Sequence, residues 1–377
     1  MSIRNNNLGS IVKPGFNALG AQTTVTTYTY ELYSWGQNNL GQLGLGNTVY
    51  KSSPNQVGSL TTWLNIASGA NHTIVTKTDG TLWSWGSGSN GKLGLGNTTY
   101  YSSPKQVGAL TAWLKTAGGY NHTIATKTDG TLWSWGRNNA GQLGLGNITD
   151  YSSPKQVGAL TNWYQIDCGL SSNIATKTDG TLWTWGAGSQ GILGIGNTTY
   201  YSSPKQVGAL TTWSKIAMSG HALAVKTDGT LWSWGFNTSG QLGLGNTTAY
   251  SSPKQVGALT TWLNISAGNY FTIANKTDGT LWAWGRGDSG QLGLGNVSYY
   301  SSPKQVGALT TWSKIAASGA FTLAIKTDET LWAWGNGGDG KLGLGNTTGY
   351  SSPKQVGALT TWFMLASGTA FSIALKY

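Results

Sequence analysis

Three histidines, one cysteine and a set of glycine-rich runs are the residues of this chain that could carry chemistry. His72, His122 and His221 could ligate a metal or act as a base. They share one position of an internal repeat, however, and Phe271, Phe321 and Phe371 hold that position in other copies. A residue interchangeable with phenylalanine reads as packing. Gly91-Lys-Leu-Gly-Leu-Gly96 has the composition of a phosphate loop, yet it follows a strand and leads into no helix. A phosphate loop needs the helix N-terminus that supplies its N–H donors. Tight loop geometry explains the glycines instead. Cys168 stands alone among strand-forming residues, which excludes an internal disulfide framework and reads as a small buried hydrophobe. No Ser/His/Asp set or carboxylate pair recurs with catalytic spacing. The sequence points away from an enzyme and calls for no metal and no cofactor.

The elements that position these residues repeat seven times. In Lys77-Thr-Asp-Gly-Thr-Leu-Trp-Ser-Trp-Gly86 an Asp-Gly pair lies between two strand-like runs. This predicts a hairpin with a type I′ turn, positive in φ at both central residues. Trp-Gly recurs at Trp35, Trp85, Trp135, Trp185, Trp234, Trp284 and Trp334, a spacing of 50 residues with one step of 49. A unit from Trp63 to Thr111 divides into strands at 64–68, 72–77, 81–86 and about 104–107. Four short antiparallel strands per unit, seven times over, predict an all-β, seven-bladed β-propeller. Trp83 and Trp85 share one strand face, and the residue between them is small in every copy (Ser34, Ser84, Ser134, Thr184, Ser233, Ala283, Ala333). Rings on one blade then fit against small residues on the next, so the tryptophans are core.

The chain ends agree. The last copy stops after its second strand at Tyr377, and the first begins with a third strand at Glu31. Together they predict one closing blade built from both termini, with Tyr30–Gly36 paired to Ser372–Lys376. Residues 1–27 do not repeat and read as an arm, and residues 28–377 as the propeller. The arm carries spaced apolar residues (Ile11, Val12, Phe16, Leu19) that would anchor it on a neighbouring protein. In the sixth copy Asp328-Glu329 replaces Asp-Gly, which predicts an altered turn, because glutamate resists positive φ.

Composition bounds the rest. The chain has 377 residues with 57 Gly, 20 Trp and 17 Tyr, and only 9% are charged. It has no apolar run long enough to span a membrane and no recognisable secretory signal, so no membrane insertion is expected. The net charge of +11 is spread by the repeat and not gathered in a run. Seven lysines precede the hairpin turns, six of them with an Asp two residues on that neutralises them locally. Six more (Lys105, Lys155, Lys205, Lys254, Lys304, Lys354) follow the repeated proline without an acidic neighbour. No specific nucleic-acid partner is expected from this pattern.

The copies differ in two loops: the one after Trp-Gly and the one between strands one and two. In an antiparallel blade both loops lie at one end, so the variation gathers on one face of the disc. The candidate binding residues there are Asn38, Asn90, Tyr120, Arg137, Asn138, Phe236, Tyr270, Arg286 and Asp288, several of them types favoured at interfaces.

Trp135-Gly-Arg-Asn-Asn-Ala-Gly-Gln-Leu-Gly-Leu-Gly146, with Pro154, Val157, Gly119-x-x-His122 and Thr128-Asp-Gly-Thr-Leu-Trp133, resembles the regulator of chromosome condensation repeat. The resemblance covers residues 31–377 and implies a seven-bladed propeller. Founding members of the family act as exchange factors for the Ran GTPase and bind chromatin. This sequence departs from them: it has no long insertion to act as a wedge, and its arm has only Arg4 and Lys13. The near-identical Gly/Asn/Thr/Tyr-rich repeats behind a Lys-Pro-Gly-Phe-Asn arm also resemble structural or adhesion proteins of bacteriophages and marine viruses. The leading expectation is a non-enzymatic virion component, a decoration, tail or fibre protein. Its arm would bind a neighbouring virion protein, and its variable face would meet a glycan or host surface receptor. The alternative is an intracellular, cytoplasmic scaffold for protein–protein interaction.

Overall fold

The computed structural model describes residues 29–377, so the proposed anchors Ile11, Val12, Phe16 and Leu19 lie outside the described residues. The described chain forms seven four-stranded antiparallel sheets arranged as the blades of a propeller. Blade one consists of Trp63–Ser68, His72–Lys77, Leu82–Gly86 and Tyr101–Gln106. First strands from all seven blades line a central channel of about 300 Å³. The fourth strand begins at Tyr101, earlier than its sequence suggests, and holds Pro104 in its interior. Proline is tolerated there because this is an outer edge strand, with no further ladder to donate to.

Both termini build blade seven, in the order Lys51–Gln56, Glu31–Gly36, Phe371–Lys376, Trp362–Ser367. Glu31 faces Lys376, and Trp35 faces Ser372. A 3.2 Å ion pair joins Glu31 to Lys376, and Tyr30 stacks on Phe363 at 4.9 Å. Tyr377 lies 6.5 Å from Tyr30, as expected of a seam between the two ends.

Each blade packs one face against the opposite face of the next. Ile74, Leu82 and Val107 of blade one form a cluster with Trp113, Ala125 and Trp135 of blade two. Trp113 meets Trp133 and Trp135 edge to face at 5.9 and 6.0 Å, a favoured aromatic geometry. The residue between the tryptophans must be small because it faces this packed interface. Where it is Ser84, its hydroxyl is also used, donating to the Leu93 carbonyl at 2.7 Å.

The Asp-Gly hairpin differs from expectation. Only Gly80 has positive φ (+77°), and Asp79 does not. The Gly80 N–H donates to the Lys77 carbonyl, and the Lys77 N–H to the Thr81 carbonyl, both at 3.0 Å. This is a type I turn closed by one left-handed residue, not a two-residue type I′ turn. Asp79 selects it by accepting both the backbone N–H and the hydroxyl of Thr81, at 2.9 and 2.6 Å. The Trp83 indole donates in turn to the Thr81 hydroxyl at 2.9 Å. The altered turn expected in blade six is not found either. Glu329 takes φ +64° and makes the same bond to Lys326, at 3.0 Å. The Asp328–Thr330 bonds and the link to Trp362 hold the loop against the side chain's own preference.

The repeat-position histidines are fully buried. Each bonds across to the next blade: His72 to Thr123, His122 to Asn173 and His221 to Thr272, at 2.7 to 2.9 Å. Burial drives their pKa down, to about 4 for His122 and about 3 for His221. For His72 the nearby Lys92 and His122 add to the effect of burial. Cys168 packs in an apolar cluster, and burial beside Asp167 pushes its thiol up.

Two predictions follow from these strained and buried groups. Below pH 6.5 the unfolded chain binds protons that the folded histidines refuse. Stability therefore falls as pH drops from about 6.5 toward about 4, at roughly 1.4 kcal/mol per unit for each histidine. Asp167, raised to about 6 by burial, opposes one such share, because it is the folded state that takes up its proton first. His221→Phe copies the native Phe271 beside Thr322 and should flatten the slope by one histidine's share in denaturation titrations. Glu329→Gly removes the positive-φ penalty and should raise stability by about 1 kcal/mol in equilibrium unfolding.

Candidate functional site

The long loop after each third strand lies beside the short loop between strands one and two of the same blade. Backbone bonds fix this placement: Gln37 to Ala370, Ser87 to Asn71 and Arg137 to Asn121, each at 2.9 Å. Both variable loops therefore occupy one face, and the Asp-Gly turns and the links between blades occupy the other.

The predicted site residues separate into three groups. Asn38 and Asn138 are fully buried, so their side chains are loop struts and not surface contacts. The Asn138 amide donates to the Asn147 carbonyl at 3.0 Å and accepts the Leu143 N–H at 2.9 Å; Asn38 repeats this with Asn47 and Leu43. Asn90 is half-buried in a 3₁₀ turn at φ +59°, with its amide 3.5 Å from Asp150. Tyr120 stands apart, exposed at the mouth of the central channel.

The third group comes together. The Phe236 and Tyr270 rings lie 5.7 Å apart, and the Arg286 guanidinium sits 5.6 Å from the Tyr270 ring. Asp288 holds Arg286 through a 2.6 Å ion pair and accepts the Tyr299 hydroxyl at 3.1 Å. The Arg286 hydrogen bond keeps the Asp288 carboxyl below its ordinary pKa. Phe236 and Tyr270 form one end of a cleft of about 540 Å³, and Arg137 lines it too, a volume within the usual range for ligand pockets. Leu170, Ile192 and Tyr200 add to its apolar lining. Sequence reasoning did not select Tyr200 or Tyr299. Their repeat position reads Tyr50, Tyr100, Asp150, Tyr200, Ala249, Tyr299 and Gly349, so its variability was available as a signal. It also did not select Asp167, which lines the channel where other copies carry Ala or Ser.

The repeated lysines are stacked on rings. Lys77 lies 3.8 Å from the Trp83 ring centroid, and burial lowers its pKa. Equivalent lysines repeat this arrangement, as at Lys177 and Lys326. The expected local neutralisation by Asp is thus a weak attraction and not an ion pair, because Thr81 engages the Asp79 carboxylate. Lys105 and its equivalents lie over the tyrosine that opens their own strand, at 5.3 to 5.6 Å. Among the described residues no helix is long and apolar enough to cross a membrane.

The sequence profile of the regulator of chromosome condensation (RCC1) repeat matches seven times, at residues 31–76, 79–126, 129–175, 179–225, 228–274, 278–325 and 328–375. The chain belongs to the RCC1 repeat family. Several solved structures share its fold. Human WBSCR16 superposes with a TM-score of 0.84 at 20% identity, covering 92% of this chain and 100% of its own. Prp20p from Saccharomyces cerevisiae gives 0.83 at 22% identity, covering 93% and 92%; its structure is described with binding properties to Gsp1p and histones. Yeast RCC1 (Prp20) bound to Kap60 gives 0.82 at 20% identity, covering 97% and 96%. No curated protein sequence matches the chain. At these identities the likeness establishes the propeller and leaves the partner to the loops.

The split among the predicted residues is measurable. Asn138→Ala should cost about 1–3 kcal/mol, because it strips a buried loop of its bonds. Tyr270→Ala should stay within about 1 kcal/mol, because the ring is exposed. Chemical denaturation of both variants checks the contrast.

Proposed function

We propose that this protein is a non-enzymatic interaction module of the RCC1 repeat type that engages a protein partner through its variable-loop face. One observation carries the reading. The constant parts of the repeat are accounted for by bonds within the fold, whereas the Phe236–Tyr270–Arg286 cluster is held at the surface on the face where the copies diverge. Aromatic and arginine side chains are the ones that dominate binding at protein interfaces. The solved relatives add support, since their structures are described with protein partners. This puts the scaffold reading ahead of a virion or glycan-binding role, for which the relatives supply no support.

The test is affinity capture with three proteins: wild type, a Phe236→Ala/Tyr270→Ala double variant, and a variant with exposed link leucines Leu110 and Leu160 changed to serine on the opposite face. Partners should be retained by wild type and by the leucine variant, and lost by the double variant. Loss with the leucine variant alone, or capture indifferent to both, would contradict the reading.

A further inference from the structure

Blade four is the one blade that breaks the repeat's length. Its first and second strands, Trp213–Met218 and His221–Lys226, are joined by Ser219 and Gly220 alone. Blade one uses Gly69, Ala70 and Asn71 between Ser68 and His72, and this missing residue is the 49-residue step in the Trp-Gly spacing. Around the early blades the short loops are tied to their neighbours: Thr369 donates to Ala70, Ala70 to Gly119 and Tyr120 to Leu170, at 3.2 to 3.3 Å. Among the described residues no such bond is made at the four junctions from blade three round to blade seven, whether the loop is short or of full length. Ser219 and Gly220 instead lie in the lining of the 540 Å³ cleft, with Leu170 on one side and Asn269 and Tyr270 on the other.

The chemistry of this cleft is one-sided. Its larger apolar walls come from Leu170, Ile192, Tyr200, Phe236 and Tyr270, and Arg137 is its one charged residue. Among the described residues no carboxylate and no ring pairs with the Arg137 guanidinium. This sets it apart from Arg286, which Asp288 neutralises. The cleft therefore offers a cation without an ion-pair partner beside apolar walls, the Asp150 carboxylate nearby being engaged by the Asn138 N–H at 2.6 Å, in a chain of net charge +11. An occupant that complements it carries a carboxylate next to a bulky apolar group. A guanidinium also binds carboxylates in a bidentate fork, which fixes register as well as charge.

We infer that the cleft spanning blades two to five, bordered by the shortened Ser219-Gly220 loop, binds an acidic peptide segment. An Asp or Glu carboxylate of the segment meets Arg137, and an adjacent leucine or aromatic side chain enters between Tyr200, Phe236 and Tyr270. This rests on the variable face being the partner-binding face and names the part of that face, and the peptide chemistry, that it uses.

The experiment is selection of a random peptide library on the immobilised intact protein, followed by affinity measurement of the selected peptides. Selected peptides should pair Asp or Glu with Leu, Phe or Trp, and should bind more weakly as salt rises. Arg137→Gln should weaken them ten-fold or more, as should replacing the peptide's acid by its amide. Combining the two changes should cost little beyond either one. Inserting one Asn between Gly220 and His221 restores the loop length of the other blades and should abolish binding. Unchanged thermal unfolding of Arg137→Gln and of the insertion would show that binding, and not folding, is lost. Failure to enrich any peptide, enrichment without acids, or indifference to Arg137→Gln would overturn the inference. So would binding of sulfated or sialylated oligosaccharides in place of peptides. The broader reading fails separately: partner capture that survives Arg137→Gln but not Phe236→Ala/Tyr270→Ala removes the cleft and keeps the face.

Discussion

Seven indole N–H groups, one per blade, donate to a backbone carbonyl in the long loop of the preceding blade. Trp85 bonds the Gln42 carbonyl, Trp135 the Lys92 carbonyl, and so on round to Trp35 and the Lys341 carbonyl, at 2.8 to 3.1 Å. In six of the seven a second donor reaches the same carbonyl, such as the Thr73 hydroxyl on Gln42 at 2.8 Å. All seven rings are buried. Losing the indole forfeits a buried hydrogen bond of about 0.5–1.5 kcal/mol together with the ring's packing, and at blade four, where Ala222 offers no second donor, it would also strand the Ile192 carbonyl. The contact also dictates the loop that meets it. A Cβ on Gly44 would lie 2.5 Å from the Trp85 indole nitrogen, and the same holds near 2.7 Å at Gly94 against Trp135. The Gly-Leu-Gly runs that look like a phosphate loop exist so that one blade's indole can approach the next blade's backbone.

From this clamp the division of the molecule follows. The clamp fixes the base of every long loop, and the Asp-Thr-Trp hydrogen-bond chain fixes every turn at the opposite end. The loop tips beyond the clamp are bound by neither constraint, and that is where the copies differ. Phe236, Tyr270 and Arg286 are displayed on a rigid ring, so their relative positions are set before any partner arrives. Pre-arranged side chains lose less freedom on binding. The shortened loop of blade four uses the same freedom: a residue can be removed at a tip without disturbing the indole beneath it.

The blade count, the strand order, the two faces and the closing seam were legible because each rests on periodicity, and seven copies average out local ambiguity. The turn type was not legible. Asp-Gly suits type I′, but the Asp79 side chain caps Thr81, and that bond, three atoms from the backbone, selects another turn. Glu329 shows the same hierarchy: the Asp328–Thr330 bonds and the Trp362 N–H on its carbonyl impose the loop shape of the five Asp-Gly turns over one residue's preference. The misread site residues have a different cause. Asn38, Asn138 and Asn237 alternate in the repeat with glycines such as Gly88 and Gly188. This looks like functional variation, but it is two solutions to one loop. Either a buried amide ties the loop down, or a glycine lets the backbone close in, as where a Cβ on Gly88 would meet the Thr99 carbonyl at 1.9 Å. Variation between copies marks a binding face only where the varying side chain reaches the surface.

The central claim is that the indole clamp closes the ring at the seam as firmly as anywhere else. The direct test compares Trp35→Phe, which removes the donor where the two termini meet, with Trp185→Phe, which removes it in the middle of the chain. The account predicts similar losses of stability, on the order of 2 kcal/mol or more each, in equilibrium denaturation. A Trp35→Phe protein as stable as wild type, beside a destabilised Trp185→Phe protein, would contradict it: the ring would then be open at the seam.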